Sequence, residues 1–332
     1  MLRILHDTKI DFIKSWRLAV GITAAFIAAG LIALVLHGGL NRSIEFTGGT
    51  LMQLEFAQPP NIADIRSTVD AAGFTGSEIQ QFGSSREFTV RAASHVSTSG
   101  TQVQNTATQI KAALERKFGP GNVRVAREEI VGPRVGDELS RNAMIAILIS
   151  LGITLIYLAI RFEWRFGVAA VIATVHDLLS TLAFLAIMRL EVSLTVVAAL
   201  LTVIGYSLND TIIIFDRVRE NMKKARPESL YDVLNRSINE TLPRSVLTHV
   251  TVAAATLSLL LFAGEVIRPF SWIMLFGIVT GTFSSIYIAA PVLLWVEQRW
   301  PRSQGGKQGP SARSTSAPPT RPSSPRAPVG AR

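Results

Sequence analysis

The chain has 332 residues, 48% hydrophobic and only 17% charged, with a mean hydropathy of +0.33, which excludes an ordinary soluble protein of this length. It contains no cysteine, which excludes disulfides, thiolate metal sites and thiol catalysis. The net charge of +9 invites a nucleic-acid reading, but Arg302, Lys307, Arg313, Arg321, Arg326 and Arg332 lie in a tail without an acid, leaving +3 elsewhere, so no nucleic-acid partner is expected.

Residues 1–15 form a polar N-terminus carrying Lys9 and Lys14, and Trp16–Leu36 is apolar enough to be a first transmembrane helix. Its apolar core exceeds the h-region of a signal peptide, and His37-Gly38-Gly39-Leu40 is a poor cleavage site, so an uncleaved anchor is expected. Residues 37–141 read as a small α+β domain. Alternation over Leu51–Phe56 predicts a strand, and Asn61 caps a helix bearing Ile62, Ile65 and Val69 that stops at Gly73. Short strands follow near Glu78–Phe82 and Glu87–Arg91. After a loop at Ser94–Gly100 comes a helix near Val103–Phe118, ended by Gly119-Pro120-Gly121, and a last strand begins at Val123 and Val125. This strand–helix–strand–strand–helix–strand order is ferredoxin-like, a fold that names no function by itself.

Residues 142–298 read as a bundle of five further transmembrane helices, near Asn142–Ile160, Phe166–Met188, Ser193–Phe215, Ser245–Ala263 and Phe270–Val296. The connection 217–244 carries seven basic residues. Within it Pro227–Leu242 places Leu230, Val233, Leu234 and Ile238 on one face, as for an amphipathic segment lying along the bilayer or the bundle. Arg161 and Arg165 mark the same side, whereas the opposite turns hold only Arg189 and Arg268. The positive-inside rule then puts both termini and 217–244 in the cytoplasm and 37–141 in the periplasm. Residues 299–332, rich in Pro, Ser, Gly and Arg, cannot bury enough apolar surface to fold and are expected to be disordered.

The chemistry concentrates in the spans. Asp210 sits inside SLTVVAALLTVIGYSLNDTIIIF (193–215), roughly 9 Å short of the charged Asp216–Arg219 end at about 1.5 Å per residue. An ionised carboxylate there costs on the order of 3 kcal/mol on insertion scales, so it faces a partner or a water path, either as a polar packing group or as a titratable coupling group. Asn209 lies beside it, with Tyr206 and Ser207 within one turn. The preceding span carries His176-Asp177, with Thr174, Ser180 and Thr181 nearby, open to a proton relay or a hydrogen-bonded packing pair. Arg244, after Pro243, lies in the same leaflet as Asp210, either as a switchable partner or as a basic anchor that snorkels to the interface. Thr248 and His249 lie further in. Gly277 and Gly281 permit close helix approach, and Pro291 permits a kink.

No Walker A, HExxH or GxSxG sequence is present. Asp177 and Asp210 could be an aspartyl dyad, but they differ in depth and Asp210 stands in Asn-Asp-Thr, not the Gly-Asp setting of intramembrane aspartyl proteases. No enzymatic activity, catalytic residue, cofactor or metal is therefore expected.

Several motifs stand in order: FTGGTLMQLEF (46–56), VGPRVGDEL (131–139), VHD (175–177), SLNDTIIIFDRVREN (207–221) and NRSINETLPRS (235–245). Together they resemble the SecF side of the SecD/SecF family of protein-export subunits, within the resistance-nodulation-division superfamily. The resemblance covers nearly all of residues 1–298. It implies a multi-pass protein of the bacterial inner membrane that pairs with SecD and docks on the SecYEG channel, with YajC and YidC as further candidate partners. It also implies use of the proton-motive force to complete preprotein movement after the SecA ATPase has acted, with Asp210 and Arg244 as the residues that matter. The alternatives are a half-size proton-coupled exporter of small molecules and a scaffold for complex assembly.

Overall fold

Gly132 and Pro133 open a membrane-spanning helix well before the apolar run that predicts it, because proline at the first helical position needs no hydrogen-bond donor. That helix, α5 (Pro133–Arg161), is one of six helical runs among the described residues that are long and apolar enough to cross a membrane. The others are α1 (Trp16–Leu36), α6 (Trp164–Met188), α7 (Leu194–Lys223), α8 (Leu230–Phe262), and α9 (Arg268–Ser284) continuing into α10 (Ala290–Arg299). The chain is a multi-pass membrane protein. The computed structural model describes residues 8–92, 101–224, 228–264 and 266–301; the expected loop at 94–100, Pro227 and the tail from 302 lie outside them.

Between α1 and α5 lie a single-turn helix α2 (Ile44–Thr47), β1 (Gly49–Phe56), α3 (Ile62–Ala71), β2 (Glu78–Gln81), β3 (Glu87–Ala92), α4 (Thr101–Phe118) and β4 (Val123–Val131). The sheet order is β2-β3-β1-β4 with every pair antiparallel, the ferredoxin-like arrangement that the element order predicts. Met52, Leu54 and Phe56 alternate inward on β1 and pack with Ile65 of α3, Val90 of β3 and Ile110 and Leu114 of α4. Asn61 caps α3, accepting from the Ala63 amide at 2.9 Å.

In the bundle, α7 and α9 are wrapped by neighbours, whereas α5 and much of α8 stay exposed. Phe162, Phe166 and Phe215 centre one core, and Leu185, Val203 and Ile273 another. Gly277 and Gly281 serve contacts inside the chain. A Cβ at Gly281 would meet the Ser207 Cβ at 2.9 Å, and one at Gly277 would collide with Val203.

The described part of the expected amphipathic segment, 230–242, lies against the bundle, one of its two expected placements, but is not a separate element. It is the first part of α8, which Ser229 caps through the Asp232 amide at 3.2 Å and which runs through Pro243 without a break. Its apolar face, Val233, Leu234 and Ile238, joins the bundle core, and that burial outweighs the missing hydrogen bond at Pro243. The last span contains a π-helical turn, Ser285–Ala289. The ring of Pro291 would crowd the Tyr287 carbonyl four residues back and cannot donate to it, so a wider turn relieves the ladder there.

The NRSINE stretch has a local task. Asn239 accepts from the Ile10 amide at 3.0 Å and donates to its carbonyl at 2.8 Å, while Asn235 Oδ1 accepts from the Ile13 amide at 3.2 Å. Asp11 accepts from the Tyr231 hydroxyl at 2.6 Å and from Asn235 at 2.9 Å. The Tyr231 bond holds the Asp11 carboxyl below its ordinary range. The segment entering α1 is thereby clipped to α8.

Candidate functional site

Where α6, α7, α8 and α9 meet, the apolar core gives way to a chain of buried hydroxyls around two carboxylates. The spacing that makes α7 apolar on most sides leaves Ser207, Asp210 and Thr211 on the buried side, one turn apart. Asp210 is 3% exposed, and its Oδ1 accepts from the Ser245 hydroxyl of α8 at 2.6 Å. Its Oδ2 is buried without a hydrogen-bond partner among the described residues and faces His249 Nε2 at 4.0 Å. His249 Nδ1 lies 3.1 Å from the Thr282 hydroxyl of α9, and its ring packs edge-on against Tyr206 with centroids 5.3 Å apart.

Asp177 of α6 is fully buried, and its environment differs. Its Oδ2 accepts from Ser207 of α7 and from Ser284 of α9, the latter at 2.7 Å, while Oδ1 lies 3.1 Å from His176 Nδ1. Both oxygens are engaged. Thr181 bonds the Asp177 backbone carbonyl at 2.7 Å, not the carboxylate. Thr211 and Ser285 meet at 2.7 Å, so the π-helical turn begins where α9 hands its hydroxyls to the site. Widened turns of this kind recur at functional positions.

Ser207 ties the two carboxylates together, since it donates to Asp177 and lies one turn before Asp210 on the same helix. The arrangement holds one fully coordinated carboxylate and one with a free oxygen. Asp210 Oδ2 is thus the atom at which a proton can arrive without displacing an existing bond. No group of three or more His, Cys, Asp or Glu side chains able to hold a metal comes together among the described residues.

Of the residues singled out from sequence, Asp210, Asp177 and His176 converge. Asn209 and Arg244 do not, since both side chains are exposed. Of the two readings of Arg244, partner or anchor, this conformation shows no Arg244–Asp210 pair: Ser245 takes Asp210, and successive helical residues point roughly 100° apart. Sequence reading missed Ser245, Thr282, Ser284 and Ser285. Their signal was hydroxyl residues inside apolar spans, which is ambiguous because such side chains also bond their own helix, as Thr248 does to the Arg244 carbonyl.

Residues 109–299 match the family described as "Protein export membrane protein SecD/SecF, C-terminal", and residues 33–60 match the "SecD/SecF GG Motif". The protein translocase subunit SecF of Gemmatimonas aurantiaca is 60% identical over 305 residues, 91% of this chain and 91% of that protein. That of Vibrio alginolyticus is 41% identical over 294 residues, 89% of this chain and 92% of that protein. The crystal structure of SecDF from Thermus thermophilus, described as a translocon-associated membrane protein, superposes with a TM-score of 0.78 at 35% identity, covering 90% of this chain but 40% of the SecDF chain. A SecDF structure in a super-membrane-facing form gives a TM-score of 0.64 at 36% identity, covering 89% of this chain and 40% of that one.

Proposed function

Because the chain belongs to the SecD/SecF family of protein-export membrane proteins, as a SecF-type translocase subunit, we propose that it couples the proton-motive force to export by protonation of Asp210. In this reading it works with a SecD partner. Support for the pairing is that solved chains named for both subunits match it over only 40% of their length. The pair acts at SecYEG, after SecA has driven insertion, to complete preprotein passage, with YajC and YidC as further associates. The chain resides in the bacterial inner membrane with both termini cytoplasmic and the sheet periplasmic, an orientation favoured by the basic residues at the Arg161–Arg165 and Arg217–Arg244 end. It is a transport subunit and not an enzyme.

The observation that carries this reading is the free, buried Oδ2 of Asp210 beside His249 and a network spanning four helices. One elementary charge crossing 100 mV releases about 2.3 kcal/mol, enough to bias a two-state packing equilibrium. A proton on Oδ2 removes the charge that Ser245 and His249 face and alters how α7 and α8 pack. Pro243, which leaves the Asn239 carbonyl without its helical donor, gives α8 a deformable point two residues before Ser245. Rotation of α8 there brings Arg244 toward Asp210. His176 and Asp177 brace the site through Ser207, and Asn209 flanks it on the outer face of α7.

The test is export into membrane vesicles with and without an imposed proton gradient. Asp210→Asn, nearly isosteric but unable to titrate, should assemble normally and lose the gradient-dependent increment. An Asp210→Asn protein with a full increment would rule out this role.

A further inference from the structure

Resting on the proposed coupling role of Asp210, we propose that the turn between α6 and α7, and not α1, is the mechanical link from the Asp210 helix to the sheet, with Glu45, Arg91 and Glu191 as its positioning residues. The turn is short and fixed: Arg189 adopts a left-handed conformation at φ 53°, and Ser193 caps α7. Residues of the sheet side pair with it as a strand would. The Ser43 amide donates to the Val192 carbonyl at 2.9 Å, and the Val192 amide donates to Asn41 at 2.7 Å.

Side chains reinforce the pairing. Glu45, on the one-turn helix that leads into β1, accepts from the Leu194 amide at 2.6 Å, so a carboxylate of the sheet side sits on the N-terminus of α7. Arg91 of β3 pairs with Glu191, and its Nη1 reaches Glu78 of β2 at 2.8 Å and Asn41 at 3.4 Å. Asp210 lies sixteen residues along α7 from Leu194, roughly 24 Å at about 1.5 Å per residue, on one uninterrupted helix.

The covalent route through α1 is a poor lever by comparison. It passes Gly38 at φ 70° and Gly39 at φ 122°, with open space around both, before the chain reaches the paired segment. Displacement of α7 is passed by its capped turn, bridged to Asn41–Ser43 and paired through Glu191 to Arg91 of β3, and must move the sheet or break those bonds, whereas displacement of α1 is absorbed at the glycines.

The chain has no native cysteine, so engineered thiols are the only ones it carries. In the full chain assembled with its partner subunit in vesicles, Glu45→Ala/Glu191→Ala should keep gradient-independent export and lose at least half of the gradient increment. Glu45→Gln, which retains an oxygen acceptor for Leu194, should keep the increment. Adding Arg42→Cys/Val192→Cys, bridge partners in the structure, should restore the increment to the double alanine variant when oxidised and lose it again on reduction. A second readout needs no gradient: the distance distribution between spin labels at Arg124→Cys on β4 and Leu261→Cys on α8 should broaden in the double alanine variant. An unchanged distribution overturns the proposal. So does a full increment in the double alanine variant, or a lost increment that oxidation does not restore. A wild-type protein without an increment, or Asp210→Asn with one, would instead refute the Asp210 reading, and the label distances would still decide the link.

Discussion

At the scale of single residues, Asp210 and its neighbours separate coupling from packing. Removing the Ser245 hydroxyl leaves a buried carboxylate oxygen without its donor, a loss on the order of 1–3 kcal/mol. Ser245→Ala should therefore lower the thermal midpoint of the purified complex as well as the gradient response, whereas Asp210→Asn should lower only the response. Arg244 divides two readings. An anchor tolerates lysine, because the positive-inside rule counts both cations alike, but a guanidinium that must meet Asp210 in a second packing state does not. We expect Arg244→Lys to insert normally by protease protection yet export poorly; wild-type export from it would make Arg244 an anchor only. Glu191 supplies a pH test. Burial pushes its carboxyl up, with the Glu78, Glu45 and Glu129 charges adding to the rise and Arg91 opposing it. A carboxyl raised in the folded state binds its proton more tightly there than in the unfolded chain. Its contribution is thus fully present below the ordinary glutamate range and is lost as pH rises through the folded value. Stability against pH should fall across that window, and Glu191→Gln should flatten the curve. An identical curve for the variant would show that Glu191 titrates no differently in the two states.

At the scale of elements, α9 approaches α7 through Gly277 and Gly281, and the site exists only at that separation. Gly281→Val would press a side chain into the Ser207 Cβ and should destabilise by about 1–3 kcal/mol while pulling Ser207 from Asp177. The check is a lower thermal midpoint together with a reduced gradient response, and Gly152→Ala, at a position with open space around it, is the neutral control. The spans and the sheet were legible because length, hydropathy and alternation are local signals. The continuity of α8 was not, since a proline followed by Arg244 reads as a helix start until the buried face of Val233, Leu234 and Ile238 is seen to continue the same helix. The π-helical turn was equally hidden, because Pro291 announces only that the ladder must be disturbed, not in which way.

At the scale of the whole molecule, the family match ends at residue 299, before the basic tail. Deleting 301–332 should leave export intact, as complementation of a depletion strain would show; loss of growth at normal membrane levels would reveal a partner for the tail. The amino-acid sequence alone determined the class of protein, the six spans, the ferredoxin-like order, and the placing of Asp210, Asp177 and His176 as titratable groups at depth. These follow from transfer free energies and from periods of 2 and 3.6 residues, which a single chain segment carries within itself. Only the tertiary structure decided which hydroxyl faces which carboxylate, that Ser245 and not Arg244 meets Asp210, and that the α6–α7 turn grips the sheet through Glu45 and Arg91. Those contacts depend on the rotation and spacing of helices far apart in sequence, and a rotation of one residue, roughly 100°, exchanges a buried partner for an exposed one.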